Sequence, residues 1–416
     1  MTDHTSTITP SDAQAMTALS AACVHCGFCL AACPTYAVTG MENDSPRGRI
    51  WLLTDAASRG ELSLKVRTHI DRCIGCEACV PACPSGVRYD QLIDIARRVV
   101  NDGRSPAVGV ARAVVTTAFA GAAKVGSLVA PTQAVARWST RAPLMRRSLT
   151  RFGSLNAVMQ QAATIHPQAH LALDTSLVAN ERGRVVLLTG CISSVLFGEV
   201  NTATVRVLNA EGISVIVPRE QGCCGALESH AGRHQAAKRR ATHLIKALNV
   251  PGVDAVVTNS AGCGAMMKGY GDLLDGDVDA VRFAGSVLDV MEYLSRFESI
   301  AHYGEMERSV LYHDPCHLAF AQGIHAEPLA VLERIPGLKV ELAGGPNCCG
   351  AGGLYSIMQP ELAREIGEAK RDAILATKID LIVSGNPGCA IQLSSLLAEQ
   401  AEVVHPVSLL AQALAP

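Results

Sequence analysis

Two cysteine motifs near the start of the chain constrain its fold more than any other feature. CVHCGFCLAACP at 23–34 and CIGCEACVPACP at 73–84 share the spacing C-x2-C-x2-C-x3-C-P. In two-cluster ferredoxins this spacing places three thiolates of one cubane on a tight loop, and the fourth cysteine ligates the other cubane. Zinc is a weak alternative, because three ligands on one loop are unusual for it. The motif pair therefore predicts two 4Fe-4S clusters.

The same rule assigns four cysteines to each cluster. The first cluster would take Cys23, Cys26, Cys29 and Cys83, and the second would take Cys73, Cys76, Cys79 and Cys33. Clusters ligated in this way offer no open position for a substrate, so the pair would hold and pass single electrons. The surrounding residues lack strand-like alternation and predict a mostly helical, ferredoxin-like domain.

The remaining eight cysteines belong to an internal repeat. They are Cys191, Cys223, Cys224, Cys263, Cys316, Cys348, Cys349 and Cys389. Corresponding members of the two copies lie 125 or 126 positions apart, and both copies contain Cys-Cys-Gly. Self-similarity at a fixed period indicates a duplicated structural unit.

Each copy alternates short apolar runs with amphipathic stretches. The runs RVVLLTG, ISVIVP and DAVVTNS, and then SVLYHD, KVEL and DLIVSGN, predict buried strands, with helices near 229–248 and 360–377. Such alternation predicts α/β units in which the cysteines gather at one edge of a covered sheet. The expected fold class is α+β multidomain. The predicted domains are a helical 2×4Fe-4S domain at 1–100, a basic helical linker at 101–180, and α/β domains at 181–305 and 306–416.

The repeated pattern C-x31-CCG-x37-C resembles the cysteine-rich CCG domains. Those domains occur in heterodisulfide reductase, the anaerobic glycerol-3-phosphate dehydrogenase anchor subunit, lactate-utilisation proteins and glycolate oxidase. The phrases CVHCGFCLAACPTY, DSPRGRIWLL, CPSGVRYDQLIDIAR, YHDPCHLA and NPGC extend the resemblance over nearly the whole chain. Together they resemble the family of glycolate oxidase (glycolate dehydrogenase) iron–sulfur subunits.

The resemblance implies a place in a flavin-dependent oxidoreductase that acts on the CH–OH group of 2-hydroxy acids. FAD-containing partner subunits would bind the substrate and oxidise glycolate to glyoxylate, so no catalytic residue is assigned to this chain. Electrons would pass through this subunit toward membrane quinone. Two alternatives remain. The subunit could serve a complex that oxidises lactate or glycerol-3-phosphate, or it could be a catalytic subunit like that of heterodisulfide reductase.

The chain departs from the fullest CCG pattern, which ends in C-x2-C. Ser260 and Asn386 stand at the earlier position of each closing pair, so five-thiolate ligation within one repeat is excluded. This departure counts against the catalytic disulfide-reductase alternative. A further Fe–S cluster, a zinc ion and a site without metal all remain open for each repeat.

Histidines and arginines near the cysteines are candidates for tuning the centres. His313 and His317 flank Cys316. For His317 the alternatives are a donor or proton carrier and a hydrogen-bonded loop histidine, with the second slightly favoured. Arg47 and Arg49 would offset thiolate charge, or would be solvated side chains at a capped helix start.

A basic segment separates the two sets of cysteines. Residues 97–151 carry ten basic side chains and one acid, Asp102, with apolar runs between them. This pattern favours an anionic membrane surface or an acidic partner. No apolar run is long enough to span a bilayer, so we expect a cytoplasmic protein held peripherally at the inner face of the cell membrane.

Composition and missing motifs narrow the function classes further. Aromatic residues are 4% and the net charge is -2, which argues against nucleic-acid binding. The chain has neither a G-x-G-x-x-G fingerprint after a strand nor a Walker A motif, so it has no evident nucleotide or flavin site. Electrons must therefore reach it from a partner that carries a two-electron cofactor.

Overall fold

The structure is a computed structural model that describes residues 5–104, 109, 113, 116–117, 177–345 and 348–415. Most of the basic segment and of the linker predicted at 101–180 lies outside the described residues. Within the described ranges, no helix is both long enough and apolar enough to cross a membrane.

The first cysteine set lies in a helical domain, as the sequence predicts. Its helices are α1 (Pro10–Ser20), α2 (Pro34–Thr39), α3 (Pro46–Arg59), α4 (Leu64–Asp71) and α5 (Tyr89–Asp102). A short antiparallel pair of strands, β1 (Ser6–Thr7) and β2 (Glu61–Leu62), joins the chain start to the end of α3. One cysteine loop lies between α1 and α2, and the other lies between α4 and α5.

Local sequence signals fix the ends of these helices. The side chains of Thr9, Ser45 and Ser63 accept backbone hydrogen bonds at the starts of α1, α3 and α4. Proline at the first position of α1, α2 and α3 suits a helix start, since its missing N–H would have no partner there. Met16, Leu53 and Leu92 join the helices in one fully buried core, which holds the two cysteine loops in place.

Each repeat forms a four-stranded parallel sheet, and the two sheets have the same strand order. The first sheet is ordered β4-β3-β5-β6 and the second is ordered β8-β7-β9-β10. The identical topology matches the duplication seen in the cysteine spacing. The strands of the two sheets are β3 (Gly183–Leu188), β4 (Ile213–Ile216), β5 (Ala255–Thr258), β6 (Val287–Asp289), β7 (Arg308–Tyr312), β8 (Leu338–Leu342), β9 (Leu381–Val383) and β10 (Glu402–Val404).

Helices cover both sheets, and the fold class is α+β multidomain, as predicted. The helices of the first repeat are α6 (Ser193–Leu196), α7 (Gly198–Ala210), α8 (Ala226–His230), α9 (His234–Leu248), α10 (Ala261–Lys268), α11 (Tyr270–Leu273), α12 (Val278–Ser286) and α13 (Val290–Ser295). Those of the second are α14 (Cys316–Ala319), α15 (Ala326–Leu332), α16 (Tyr355–Met358), α17 (Pro360–Ala376), α18 (Pro387–Leu397) and α19 (Pro406–Ala413).

The helix predicted over 229–248 is in fact two helices, α8 and α9, separated by a turn at Gly232. Gly232 has a left-handed φ of +75°, and a Cβ there would lie 2.2 Å from the carbonyl oxygen of Arg97 in α5. The close approach of the first repeat to the ferredoxin-like domain therefore explains the break. That contact is long-range, so the local periodicity of the sequence does not reveal it.

The repeats pack against each other and against the ferredoxin-like domain. Leu187 of β3 and Val383 of β9 belong to one buried core that both sheets share. The Ser229 hydroxyl donates to the Asp94 carboxylate of α5 at 3.2 Å, and the Tyr355 hydroxyl donates to the Arg72 carbonyl at 3.0 Å. These contacts bring the cysteine sites of the three domains near one another. The boundaries at 100, 180 and 305 stay predictions.

Candidate metal centres

The first cysteine loop lines a partly open cavity, whose volume with the solvent-filled mouth is about 410 Å³. Cys23, Cys26, Cys29 and Cys83 line it, and these are the four cysteines predicted to hold the first cluster. Burial raises the pKa of Cys29, and the neighbouring Cys23 and Cys83 raise it further. Thiols that oppose each other's ionisation in this way would be stabilised as thiolates by a multiply charged metal centre. Their number and arrangement fit a 4Fe-4S cluster, and the ligation stays a prediction.

A second cavity of about 370 Å³ is lined by Cys33, Cys73, Cys76 and Cys79. This is the set predicted for the second cluster. Burial raises the pKa of Cys79 well above its usual value, and Cys73 and Cys33 add to the effect. Cys79 also lines the first cavity, so the two sites are immediate neighbours.

The two arginines of the PRGR segment have different surroundings. Arg49 is 1% exposed, donates to the His69 carbonyl at 2.7 Å, and lies 3.7 Å from Asp44. Burial alone would raise the pKa of Cys73, but the charges of Arg49 and Arg97, together with hydrogen bonds from the Gly75 amide and the Tyr89 hydroxyl, leave that pKa lowered. Arg49 therefore stabilises thiolate at the second cavity.

Arg47 lies at the other cavity and is partly solvated. It pairs with Glu42 at 2.6 Å and donates to the His25 carbonyl at 3.3 Å. Ser45 caps the same helix by accepting from the Gly48 amide at 3.0 Å. Both alternatives predicted from the sequence therefore apply to Arg47: it lies at a capped helix start, and it is a cation at the rim of a cysteine cavity.

The four cysteines of the first repeat meet at the carboxyl edge of its sheet. Cys191 follows β3, the Cys223–Cys224 pair follows β4, and Cys263 follows β5. The sulfur atoms of Cys191 and Cys223 are 3.5 Å apart, and those of Cys224 and Cys263 are 3.4 Å apart. Donation from Cys191 to Cys223 lowers the pKa of Cys223 and raises that of Cys191.

A basic cavity adjoins this site. Cys223 lines it together with Arg233, Arg239, Arg240 and His243, and its volume is about 640 Å³. Arg240 forms an ion pair at 2.8 Å with the buried carboxylate of Glu228. The thiols of the first repeat therefore lie beside an opening whose charge is predominantly positive.

The second repeat assembles its four cysteines in the same way. Cys316 begins α14, Cys348 and Cys349 follow β8, and Cys389 lies in the first turn of α18. The Gly350 amide donates to the Cys348 sulfur at 3.4 Å. Hydrogen bonds from Cys348 and Cys389 hold the pKa of Cys349 well below its usual value. Four convergent sulfur donors suit an Fe–S cluster or zinc.

Two further polar groups lie at this site, and the sequence had indicated His313 but not Lys370. His313 is fully buried, and its ring lies near Cys349 and Cys389. Lys370 is 1% exposed and donates to the carbonyls of Ala343 and Gly344 at 2.8 and 2.9 Å. The position of His313, three residues before a repeat cysteine at a strand end, was the available signal. Nothing in the amphipathic pattern of α17 distinguishes Lys370 from its solvated neighbours.

The second repeat touches the loop of the second cavity directly. The side chain of Cys76 packs in the same group of buried apolar side chains as Cys316 and Cys348. The His317 ring nitrogen Nε2 donates to the Gly75 carbonyl at 3.0 Å, so His317 is hydrogen-bonded, although it lies in helix α14 and not in a loop. The second cavity and the thiols of the second repeat are therefore adjacent across the domain interface.

Asn386 connects the thiol sites of the two repeats. Its side-chain Nδ2 donates to the Cys389 sulfur at 3.3 Å, and its Oδ1 accepts from the Gly262 amide at 3.2 Å. Gly262 directly precedes Cys263, so one amide group spans from one site to the other. The residue that departs from the fullest CCG pattern thus has a structural role between the sites.

Comparisons with known proteins agree with this architecture. A 4Fe-4S dicluster domain family matches residues 20–87, and a cysteine-rich domain family, CCG, matches residues 185–268 and 310–394. The glycolate oxidase iron-sulfur subunit of Escherichia coli (strain K12) is 34% identical over 94% of this chain and 94% of its own. A probable glycolate oxidase iron-sulfur subunit of Bacillus subtilis (strain 168) is 32% identical over 94% and 93%.

A shorter relative matches about half of this chain. Lactate utilization protein A of Oceanobacillus iheyensis is 30% identical over 55% of this chain and 96% of its own. Among solved structures, glutamate racemase RacE1 of Bacillus anthracis aligns at 14% identity over 57% of this chain and 79% of its own. Its TM-score of 0.23 is too low to bear on the fold.

Proposed function

The chain belongs to the family of glycolate oxidase iron–sulfur subunits, and we propose that it relays electrons from glycolate oxidation to membrane quinone. A partner subunit that carries FAD would oxidise glycolate to glyoxylate and take up two electrons. Two 4Fe-4S clusters, held by the eight N-terminal cysteines, supply one-electron transfer. Quinone would accept both electrons, together with two protons, at the far end of the relay.

The observation that carries the proposal is the unbroken series of thiol sites. Cys79 lines both N-terminal cavities, and Cys76 packs with Cys316 of the second repeat. Asn386 then links the Cys389 sulfur to the turn that bears Cys263. A series of this kind supports an electron path that enters at the N-terminal cavities and leaves at the repeats.

The chain's own residues support this role through charge and burial. Arg49, Arg97 and Lys370 place positive charge beside buried thiols, which favours the thiolate forms that bind metal. The basic cavity beside Cys223 supports an exit at the first repeat, because anionic lipid headgroups or an acidic partner would be attracted there. The basic segment at 97–151 favours the same contact.

Lactate is the second candidate substrate of the complex, since a lactate utilization protein is 30% identical over 55% of the chain. The substrate would bind to the flavoprotein partner in either case. Reduction of the purified complex by glycolate, but not by lactate at the same concentration, would support the first assignment. The opposite preference would replace glycolate with lactate and leave the relay unchanged.

Metal analysis of the anaerobically purified chain tests the relay itself. About eight irons and eight sulfides per chain would indicate two cubanes only, and about twelve or more would add a redox centre in the repeats. Little iron with stoichiometric zinc would exclude electron transfer.

Serine variants test the ligand assignment. Cys83→Ser should remove the first cluster and spare the second, whereas Cys33→Ser should do the reverse. EPR of the reduced proteins measures both outcomes. Loss of the opposite cluster in each variant would show that the fourth ligands are not exchanged between the motifs.

A further inference from the structure

His313 is a fully buried imidazole beside the thiols of the second repeat. It follows β7 directly, and its backbone amide donates to the Val383 carbonyl at 2.8 Å. The side chain is fully buried, and among the described residues neither ring nitrogen has a well-formed hydrogen bond; the Cys349 thiol, whose pKa His313 helps to lower, lies beside the ring. A buried polar group without a partner costs about 1–3 kcal/mol. Such a group is therefore a candidate for binding something that the chain itself does not contain.

The His313 ring lies beside two cysteine sulfurs of the second repeat. The ligand atoms of His313, Cys349 and Cys389 all lie within 4.8 Å of one another, and all three residues are buried. Metal-bound thiolate and imidazole sit about 2.3 and about 2.0 Å from a zinc ion, so a small closure would bring these atoms onto one metal.

The duplication provides an internal comparison. His313 stands three residues before Cys316, and Leu188 stands three residues before Cys191. Both side chains are buried at the carboxyl end of the first strand of their repeat. The first repeat thus fills this position with an apolar side chain, and the second fills it with a metal-binding group. Packing alone does not require an imidazole there, because the same fold accepts leucine.

We propose that the second repeat binds a metal centre through both cysteine and histidine, with His313 as a ligand. The metal is iron in an Fe–S cluster or a zinc ion, and Cys349 and Cys389 are ligands of the same centre. A neutral imidazole in place of a thiolate makes an iron–sulfur centre less negative and raises its reduction potential. The first repeat, which has only thiols at its site, would bind metal without nitrogen.

The inference rests on the proposed presence of metal in the second repeat and is independent of the substrate. Its failure is distinguishable from failure of the relay, because the two N-terminal clusters give their own EPR signals. A protein with intact N-terminal clusters and no histidine-bound metal would refute the inference alone.

The test compares the wild-type chain with two matched variants. His313→Leu copies the residue of the first repeat, and His317→Leu removes the adjacent imidazole, which bonds the Gly75 carbonyl. The full-length proteins are purified anaerobically, and iron and zinc are counted. Pulsed EPR then detects nitrogen coupled to a reduced iron centre, while X-ray absorption detects a nitrogen scatterer on zinc.

We expect a nitrogen ligand in the wild type and in His317→Leu. In His313→Leu, either the nitrogen ligand is lost and any iron centre that remains has a lower potential, or the metal of the second repeat is lost and the N-terminal clusters are kept. No metal beyond those clusters in the wild type would overturn the proposal. So would an extra centre without nitrogen, or a nitrogen signal that survives in His313→Leu. If His313→Leu does not fold, the wild-type spectrum decides.

Discussion

Replacing Gly352 with alanine should disturb the interface through which the second repeat meets the second cluster loop. Gly352 follows the Cys-Cys-Gly motif and has a left-handed φ of +48°. A Cβ there would lie 2.5 Å from Cγ1 of Ile74 and 3.2 Å from the Ile74 carbonyl oxygen. Ile74 is buried and stands between Cys73 and the glycine that precedes Cys76. The added methyl group must therefore push the repeat away from the loop or distort the loop.

The expected cost has two parts. Holding an alanine in the left-handed region costs about 1–2 kcal/mol. Forcing an extra methyl group into a packed contact typically costs about 1–3 kcal/mol more. Gly323 provides a matched control in the same repeat, because its φ is +68° and no atom lies within 4 Å of the position of a Cβ. Gly323→Ala should show only the first part.

The assay is chemical unfolding of the two anaerobically purified variants, followed by electron transfer in the complex. Gly352→Ala should lose about 1–3 kcal/mol more than Gly323→Ala, the cost of overpacking alone. With glycolate as donor, its N-terminal clusters should still be reduced while quinone reduction slows. Equal destabilisation of the two variants, with equal quinone reduction, would refute the packing of Ile74 against Gly352 as the connection between the domains.

Three further substitutions test charge and burial elsewhere. Lys370→Met should lower the reduction potential of a centre in the second repeat, as measured by potentiometric EPR, and should cost about 1–3 kcal/mol because the Ala343 and Gly344 carbonyls lose their donor. Arg49→Met should cost about 1–3 kcal/mol in unfolding experiments, since the His69 carbonyl and the Thr35 hydroxyl lose their donor while Asp44 keeps its ion pair with Arg72 at 2.9 Å; an unchanged stability would contradict those hydrogen bonds. Burial lowers the pKa of His405 from 6.5 to about 4, although its hydrogen bond to the Asn259 carbonyl acts in the opposite direction. The neutral, buried His405 therefore contributes its full share of folding stability above pH 6.5, and this stability is lost as the pH falls toward 4. The loss should reach roughly 3 kcal/mol, and His405→Gln should flatten this part of the stability profile.

The local features of the site could be predicted from the sequence. The cysteine spacing predicted the two sets of four that line the N-terminal cavities. The apolar runs predicted β3, β4, β5, β7, β8 and β9, because these strands are short and lie in parallel sheets; all but β8, an edge strand, are largely buried. The fourth strands, β6 and β10, were missed. β6 runs directly into the helix that begins at Val290, and β10 is a three-residue edge strand that starts with an exposed glutamate, so neither gives a distinct buried apolar run.

The features that depend on contact between distant segments could not be predicted. Gly232 breaks a helical pattern only because the Arg97 carbonyl approaches it. Lys370 lies in a helix of ordinary amphipathic pattern, and its burial depends on carbonyls about 26 positions earlier in the chain. The role of Asn386 follows from its contact with Gly262, 124 positions away. Sequence periodicity reports which face of an element is buried, but not which partner it meets there.

The differences between the repeats argue that duplication was followed by separation of roles. Both keep four cysteines at the carboxyl edge of the same sheet, so the framework for binding metal is shared. The second repeat has His313 and a buried Lys370 and contacts the loop of Cys76. The first has Leu188 and the exposed basic cavity beside Cys223. A less negative centre next to the second cluster would draw electrons out of the N-terminal domain, while the first repeat would face the acceptor. Two identical repeats would provide neither a difference in reduction potential between the two centres nor a separate site at which electrons leave the chain.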